Sequence, residues 1–291
     1  MKASGLLSAI CLAAATAANP ARAEWSLDAQ AGLWHDSNPG NARAASDVGS
    51  DNVATATLAA TYADYLDSGD RWSGGGAVAT ETYGRYTGLS RVSLGGFAAL
   101  EHKIGLGPYA PWLRAGWSSS RLNYANAVRN GWLHQADFGA GKRFDERWSA
   151  SLNYKREWRT ATTQPEAEPG ISGDAFSGNS HSLTLQAEYA AGAGVMLSAS
   201  GFARRGDVVS ISVDDDHVLD ASKAAADDNV FGATRYAYRL LGTTFGLGAG
   251  LGVALGPRTY LNLGLQRQVT HGAGSNNYAK SIGSVTWIGS F

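Results

Sequence analysis

The sequence predicts a transmembrane, antiparallel, up-and-down β-barrel of about twelve strands. The first observation behind this prediction is a period-two alternation of apolar and polar residues, as in TYLNLGLQRQV, where every second residue from Leu261 to Leu265 is leucine. The second is the order of the connections, which are alternately short and longer along the chain. The third is the carboxyl end, SVTWIGSF, whose last residue is Phe291. Strands with one apolar and one polar face need a different solvent on each side, which a barrel in a bilayer provides.

Twelve alternating segments are long enough to be membrane strands, which need about 9–11 residues. The connections after even-numbered segments are short turns such as LDSGD, AGAG and LGPR, whereas every long connection follows an odd-numbered segment. Bacterial outer-membrane barrels show this pattern when the amino terminus starts in the periplasm. The segments are 24–36, 53–65, 71–86, 90–104, 110–125, 131–144, 147–160, 179–191, 194–207, 230–254, 258–270 and 277–291.

The tenth segment is the least regular of the twelve. Tyr238 and Leu240 indicate that even-numbered residues face outward, whereas Phe245 and Leu247 indicate that odd-numbered residues do. A β-bulge near Gly242 would account for the switch. An additional hairpin, which would give fourteen strands, is the alternative.

Residues 1–23 have the pattern of a secretory signal peptide, which leaves residues 24–291 as the barrel. Lys2 supplies a positive start, LLSAICLAAATAA the apolar core, and ARA a cleavage site before Glu24. Lipidation at Cys11 is disfavoured, because Ile10 stands where a small residue is needed. With Cys11 removed, the mature chain contains no cysteine. We therefore expect a bacterial outer-membrane protein with a periplasmic amino terminus.

Composition excludes two other classes of protein. No stretch after the signal peptide approaches the roughly 20 continuous apolar residues that a spanning helix requires. The net charge is −1 for the whole chain and about −3 once Lys2 and Arg22 are removed, which does not suggest a nucleic-acid partner. The expected partners are instead outer-membrane lipid and lipopolysaccharide, and the barrel-assembly machinery through the last strand, which ends at Phe291. The chain contains nine tryptophans, most of them near segment ends. Aromatic residues in these positions suit the two interfacial girdles of such a barrel.

The polar parity of the segments assigns side chains to the lumen. Rings of basic side chains favour anions, so the first interpretation is a narrow channel for small solutes, with anions preferred. The alternative is an interior closed by mutually paired charges, because a dozen strands leave only a narrow lumen. The predicted lumen residues are Arg91, Lys103, Arg114, Arg143, Lys155, Arg159, Arg235, Arg239, Asp28, Glu81, Glu101, Asp137, Glu157 and Glu188.

The loop SVDDDHVLDASKAAADDN is rich in aspartate. Asp214, Asp215 and Asp216 are weak candidates for binding calcium, whose preferred ligands are oxygens. The spacing matches no EF-hand, and a solvated external loop is the preferred interpretation. No other cofactor is expected.

The stretch HDSN, near the end of the first segment, carries the one candidate for catalysis. Because i and i+2 share a face, His35 could act as a base for the Ser37 hydroxyl, with Asn52 of the second segment orienting the imidazole. The stretch, followed closely by Gly40, resembles the histidine-x-serine-asparagine motif of outer-membrane phospholipase A, also a twelve-stranded barrel. That resemblance implies a serine-dependent lipid hydrolase that acts on the outer leaflet.

A second resemblance extends along most of the chain. DSNPGNA after the first segment, PYAPWLRAGW, GSNNYAK and the terminal Phe291 are similar to the barrel of surface lipoprotein assembly modifiers. In that family the Asp-Ser-Asn stretch is an ordinary loop, which implies a structural or export-assisting barrel. We expect a non-enzymatic barrel, with a channel as the first hypothesis and the other two functions as alternatives.

Overall fold

The computed structural model describes residues 24–66, 69–167, 169–213 and 215–291. The predicted signal peptide lies outside these residues. Thirteen strands and one short helix, α1 (Asp216–Asp220), form the described part, together with three single 3₁₀ turns. The strands are β1 (Glu24–Asp36), β2 (Asp51–Tyr65), β3 (Arg71–Tyr83), β4 (Arg91–Lys103), β5 (Trp112–Tyr124), β6 (Gly131–Arg143), β7 (Trp148–Ala161), β8 (Gly178–Gly192), β9 (Val195–Ser212), β10 (Ala224–Asp227), β11 (Tyr236–Gly256), β12 (Thr259–Gly272) and β13 (Tyr278–Ser290).

Twelve of these strands close into an antiparallel barrel, which confirms the predicted fold class. Each strand pairs with the next along the chain, except that β9 pairs with β11, and β13 closes the ring onto β1. The closing register runs from Asp28 opposite Ser290 to Asp36 opposite Ile282. The thirteenth strand, β10, is an extra strand that pairs with the first residues of β11, beyond the point where β12 ends.

The connections divide the barrel into two ends. Six of them, L1 (37–50), L2 (84–90), L3 (125–130), L4 (162–177), L5 (213–235) and L6 (273–277), lie at what we call the loop end. The start of β1, the end of β13 and the remaining, short connections lie at the opposite end, which we call the turn end. No helix within the described residues is long and apolar enough to cross a membrane.

The outward face of the barrel is apolar around its middle. Leu33, Leu94, Leu247 and Leu265 are each more than 60% exposed, although each lies well inside a strand. Apart from Trp34 beside Leu33, their inward neighbours one residue away are glycine, serine or glutamine. Large apolar side chains at this density are stable only against apolar surroundings. The outer face therefore suits the hydrocarbon of a membrane.

The predicted bulge near Gly242 is wrong, and so is the alternative of fourteen strands. The β9–β11 register is unbroken from Tyr236 opposite Ser212 to Val253 opposite Val195. Tyr238 and Leu240 share the inward face and are buried. They were assigned to the outside because apolar side chains were expected only there, whereas the loop end of this barrel has an apolar interior.

Candidate functional site

The inner surface of the barrel has two unlike walls. The inward face of β3–β8 carries most of the ionisable side chains, whereas β9, β11 and β12 present mainly glycine, serine, threonine and glutamine. Small residues on one wall leave room for the long side chains of the other. The interior is therefore a polar space with its charge concentrated on one side.

Near the loop end, the charges of this wall are paired and buried. Arg91 donates to Glu81 at 2.6 Å and to the Tyr124 hydroxyl at 2.8 Å. The Arg159 guanidinium lies 5.2 Å from the Tyr124 ring centroid. Glu157 accepts from Gln135 and Ser180 and lies 3.8 Å from Lys155. Such a network fixes the wall rather than offering free charge to a solute.

Toward the turn end, cations remain without an ion pair. Within the described part of the chain, no carboxylate lies within 4.0 Å of the charged nitrogens of Arg71, Lys103, Arg114 or Arg143. Two acids, Glu101 and Asp137, share the inward face of the same strands, β3–β6. This stretch of wall therefore has an excess of positive charge.

Most predicted lumen residues lie on the inward register. This holds for Arg91, Lys103, Arg114, Arg143, Lys155, Arg159, Asp28, Glu81, Glu101, Asp137, Glu157 and Glu188.

Two predicted lumen residues are placed elsewhere by the structure. Arg235 belongs to L5 and forms an ion pair with Asp47 of L1. Arg239 lies on the face of β11 opposite to Tyr238, where it donates to Asp174 of L4 at 3.2 Å. Arg235 precedes β11, which begins at Tyr236 rather than at residue 230. Arg239 lies where β11 continues beyond the barrel wall, so the period of the strand no longer separates a lipid face from a lumen face.

That region is a cap over the loop end, which we define as the end of β9 (207–212), L5 with β10, and the start of β11 (236–241). Most side chains on both faces of these strands are buried, with Leu241 at the membrane edge exposed. One face packs Val209 and Ile211 against Phe176 of L4, and the other packs Tyr238 and Leu240 against Val218 of α1. β10 lies between these layers, and its three alanines are fully buried.

Residues 228–231 of L5 contact the loops of the opposite wall. We call these residues the cap tip. The Phe231 ring lies 4.4 Å from that of Tyr86 in L2. Asn229 accepts from Asn126 of L3 at 3.2 Å, and Asp228 forms a fully buried ion pair with Arg129. L5 also contacts L4 and L6, so it touches all five other loops. The cap therefore covers the mouth of the barrel.

Asp47 of L1, which pairs with Arg235 of the cap, has a shifted pKa. Burial of Asp47 raises the pKa of its carboxyl, but hydrogen bonds from Arg235, Ser46 and the Val213 N–H outweigh burial and lower the pKa below its ordinary value. The charged form of Asp47 is thus the form that holds L1 to the cap.

Several of these functional residues were missed from the sequence. Lys280 and Asp36 form a buried ion pair at 3.0 Å, on the inward face where β13 meets β1. Strand parity could have indicated this position. Lys280 lies on the same face of its strand as Ile282, and Asp36 on the same face as Trp34. The sequence predicts a solvated acidic loop around Asp228, and no pattern in it indicates that Asp228 meets Arg129.

Two of the three candidate catalytic residues meet on the outer surface at the loop end. His35 and Asn52 are cross-strand partners, and the His35 Nδ1 lies 2.8 Å from the Asn52 Oδ1. This contact leaves Nε2 as the unprotonated nitrogen of a neutral ring. Ser37 exchanges hydrogen bonds with β13 instead: its Oγ accepts from the Ser281 N–H at 2.9 Å, and its own N–H donates to the Ser281 carbonyl.

The calcium candidates fall on L5. Asp214 lies outside the described residues. Asp215 caps α1 by accepting from the N–H groups of His217 and Val218, and Asp216 is the first residue of that helix. Across the described ranges, no three histidine, cysteine, aspartate or glutamate side chains are grouped to hold a metal ion.

The fold and its apolar outer face define a transmembrane β-barrel, and the solved structures that it resembles belong to that class. An outer-membrane channel from Pseudomonas putida F1 aligns with a TM-score of 0.56 and 14% identity, over 94% of this chain and 97% of that one. The NanC porin aligns over 90% and 98% at 10% identity and a TM-score of 0.47. The translocator domain of the autotransporter NalP from Neisseria meningitidis aligns over 98% and 93% at 13% identity and a TM-score of 0.47.

No family model and no curated protein matches the sequence. The similarity to phospholipase A and that to surface lipoprotein assembly modifiers therefore remain predictions from short stretches.

Proposed function

We propose that this protein is an outer-membrane channel for small solutes whose external mouth is covered by the cap. The observation that carries the proposal is the contrast in burial along the lumen. Inward side chains near the middle, such as Ser118, Gln186 and Gln266, are partly exposed, whereas those at the loop end are buried beneath the cap. A polar, accessible interior below a covered mouth suits a conduit that opens when the cap moves.

The proposal assigns the loop end to the cell exterior and the turn end to the periplasm. Long external loops and short periplasmic turns are the rule in outer-membrane barrels. The amino terminus would then be periplasmic after removal of residues 1–23. The exchanged backbone hydrogen bonds between Phe291 and Leu27 place the carboxyl end at the closing seam. The barrel-assembly machinery would recognise this strand.

The preferred solutes are small anions. Arg71, Lys103, Arg114 and Arg143 supply more charge than Glu101 and Asp137 on the same strands. Unpaired cations facing a narrow, water-filled space lower the free energy of an anion there more than that of a cation.

Planar-bilayer recording of the refolded chain tests both parts of this proposal. We expect discrete conductance steps and a reversal potential, in a potassium chloride gradient, that indicates chloride preference. The variant R71Q/R114Q should shift the reversal potential toward zero. The charge-matched control K142Q/R147Q, whose residues lie on the outer face and in a turn, should not. A wild-type protein that folds into the bilayer without conducting would refute the channel.

A second candidate function, lipid hydrolysis at the outer leaflet, is favoured by the His35–Asn52 hydrogen bond. In this scheme Asn52 orients the imidazole, and the His35 Nε2 accepts the proton of the Ser37 hydroxyl as its oxygen attacks a lipid ester. The hydroxyl would have to leave the Ser281 N–H to do so.

Release of fatty acid from micellar phospholipid tests this candidate. Activity should be lost in both His35→Ala and Ser37→Ala, and Asn52→Ala should lower kcat because the imidazole is no longer oriented. Unchanged activity in either of the first two variants, or none in the wild type, would exclude the hydrolase.

A further inference from the structure

The outer surface near the loop end of β5–β9 carries a group of basic and aromatic side chains with no role in conduction. They lie on the same face as the membrane-exposed residues of these strands; Arg156, for example, alternates with the exposed Leu152 and Tyr154. We call this group the basic–aromatic patch, and its members are Arg121, Arg156, Arg205, His134, His181, Trp117, Trp132 and Trp158.

Three of the basic residues form a row across neighbouring strands. Arg156 is the register partner of His181, which is in turn the partner of Arg205. Strands lie about 4.8 Å apart, so the two arginine Cα atoms are about 10 Å apart with the imidazole between them. Arg156 and Arg205 are therefore not direct cross-strand partners, but two positive groups on either side of one imidazole. An anion lying on the row could contact both guanidinium groups.

The protein itself supplies no such anion. The outward faces of β5–β8 carry no carboxylate, and that of β9 carries only Asp207. The Asp207 carboxylate is already held by Lys223 at 2.6 Å and by the Asn179 N–H at 2.9 Å. In the described ranges, none of the three arginines of the patch has a carboxylate within ion-pair distance.

The aromatic members form a continuous ladder beside this row. The rings of Trp132 and His134 are parallel within 4° at 6.1 Å, and Trp117 lies 6.0 Å from His134 and 5.6 Å from Trp158. The guanidinium of Arg156 lies 5.2 Å from the Trp158 ring, and that of Arg121 5.9 Å from the Trp132 ring. Tryptophan prefers the headgroup level of a membrane, so the arginines lie where lipid phosphates are.

We infer that the basic–aromatic patch binds a phosphorylated glycolipid of the outer leaflet, with phosphate groups bridging Arg156 and Arg205. Guanidinium groups bind phosphate through paired hydrogen bonds, and two sites about 10 Å apart suit a headgroup with more than one phosphate. The ladder offers flat apolar surface to the sugar rings. The inference rests on the proposed outer-membrane location and is independent of whether the barrel conducts.

Binding of diphosphoryl lipid A to the refolded protein in detergent micelles tests the inference. We expect the wild type to bind it at least about ten-fold more tightly than phosphate-free lipid A, and R156Q/R205Q to lose that difference. R156K/R205K, which keeps the charges but not the paired hydrogen bonds, should be intermediate. The control R147Q/R258Q, at the turn end, should bind like the wild type.

Three results would overturn the inference: equal binding by R156Q/R205Q and wild type, equal binding of phosphatidylglycerol, or displacement by millimolar inorganic phosphate. Folding of each variant is checked by its heat-dependent shift in electrophoretic mobility. Conductance recorded on the same preparations separates the two proposals, because a protein that conducts but does not bind lipid A refutes only the patch. One that binds lipid A but does not conduct refutes only the channel.

Discussion

The two ends of the lumen share one strand geometry and differ in what surrounds the inward side chains. At the turn end the inward positions hold residues such as Arg114 and Glu188, which keep contact with solvent. At the loop end the same parity holds Tyr238, Leu240 and Ile282, all buried. The cap excludes water from this end, so apolar side chains are stable inside it and charges must be paired. The inward face of this barrel therefore carries charges without an ion pair where it is wet, and apolar or paired side chains where it is covered.

The largest expected effect on the loop end comes from removing the contact between the cap tip and the opposite wall, which should let water into this end of the lumen. Replacing residues 228–231 by a Gly-Ser segment of equal length removes the Phe231–Tyr86 packing and the Asp228–Arg129 pair. We expect several-fold higher conductance and longer open times in planar bilayers.

A control for this change is an equal replacement of residues 104–107, in a turn at the other end, which should leave the conductance as it is. If both replacements act alike, or if neither changes the current, the cap does not govern access to the lumen.

A reversible lock provides the next largest effect. A Cβ built on Gly88 would lie 2.6 Å and 3.2 Å from the two methyl carbons of Val230, which places the two residues side by side. Residues 24–291 contain no cysteine, so G88C/V230C introduces a single pair into that segment. Under oxidising conditions we expect current to be suppressed, and a reductant should restore it. Either single-cysteine variant serves as the control. If the current through G88C/V230C is the same under oxidising and reducing conditions, the cap does not move to open the channel.

Buried and exposed charges test the same difference through stability. Lys280→Met leaves the Asp36 carboxylate buried without its ion partner, which costs about 3–5 kcal/mol. Arg114→Met, on the wet part of the wall, should cost less than about 1 kcal/mol. Urea unfolding in lipid vesicles measures both values.

D36N/K280M provides the internal control, since removing both charges should recover most of the lost free energy of unfolding. Equal costs for Lys280→Met and Arg114→Met would mean that the loop end is as wet as the turn end.

The strands could be predicted from the sequence because lipid imposes a strict period on one face. The predicted segment 131–144 lies within one residue of β6 at each end, and 24–36 matches β1. The cap could not be predicted, since β9 and β11 continue past the membrane into a region where both faces are covered and the period carries no information. This is why β9 was ended at residue 207 rather than at Ser212, and why the parity of Tyr238 was misassigned.

Contacts of the candidate site between residues close in the chain could be predicted from the sequence, and contacts between distant residues could not. The shared outward parity of His35 and Asn52 at adjoining strand ends predicts that they can lie side by side, and the structure puts these two side chains in hydrogen-bond contact. Arg129 and Asp228 are 99 residues apart in the chain. Their pairing depends on how L5 crosses the mouth, which no short-range pattern specifies.

The smallest expected effect is a dependence of cap closure on acid pH. The pKa of Asp47 is lowered in the folded protein, so its ion pair with Arg235 contributes stability that is fully present above the ordinary carboxyl pKa near 3.8. That contribution is lost as the pH falls through the lower, folded-state pKa. We expect the open probability to rise as the external solution is acidified below about pH 4. Asp47→Asn lacks the titrating group and should show a higher open probability already at neutral pH, with a weaker acid response. An identical acid response in the variant would contradict the role of Asp47 and assign the pH dependence to other carboxylates of the loop end, because Asp47→Asn has no carboxyl group left to titrate at this ion pair.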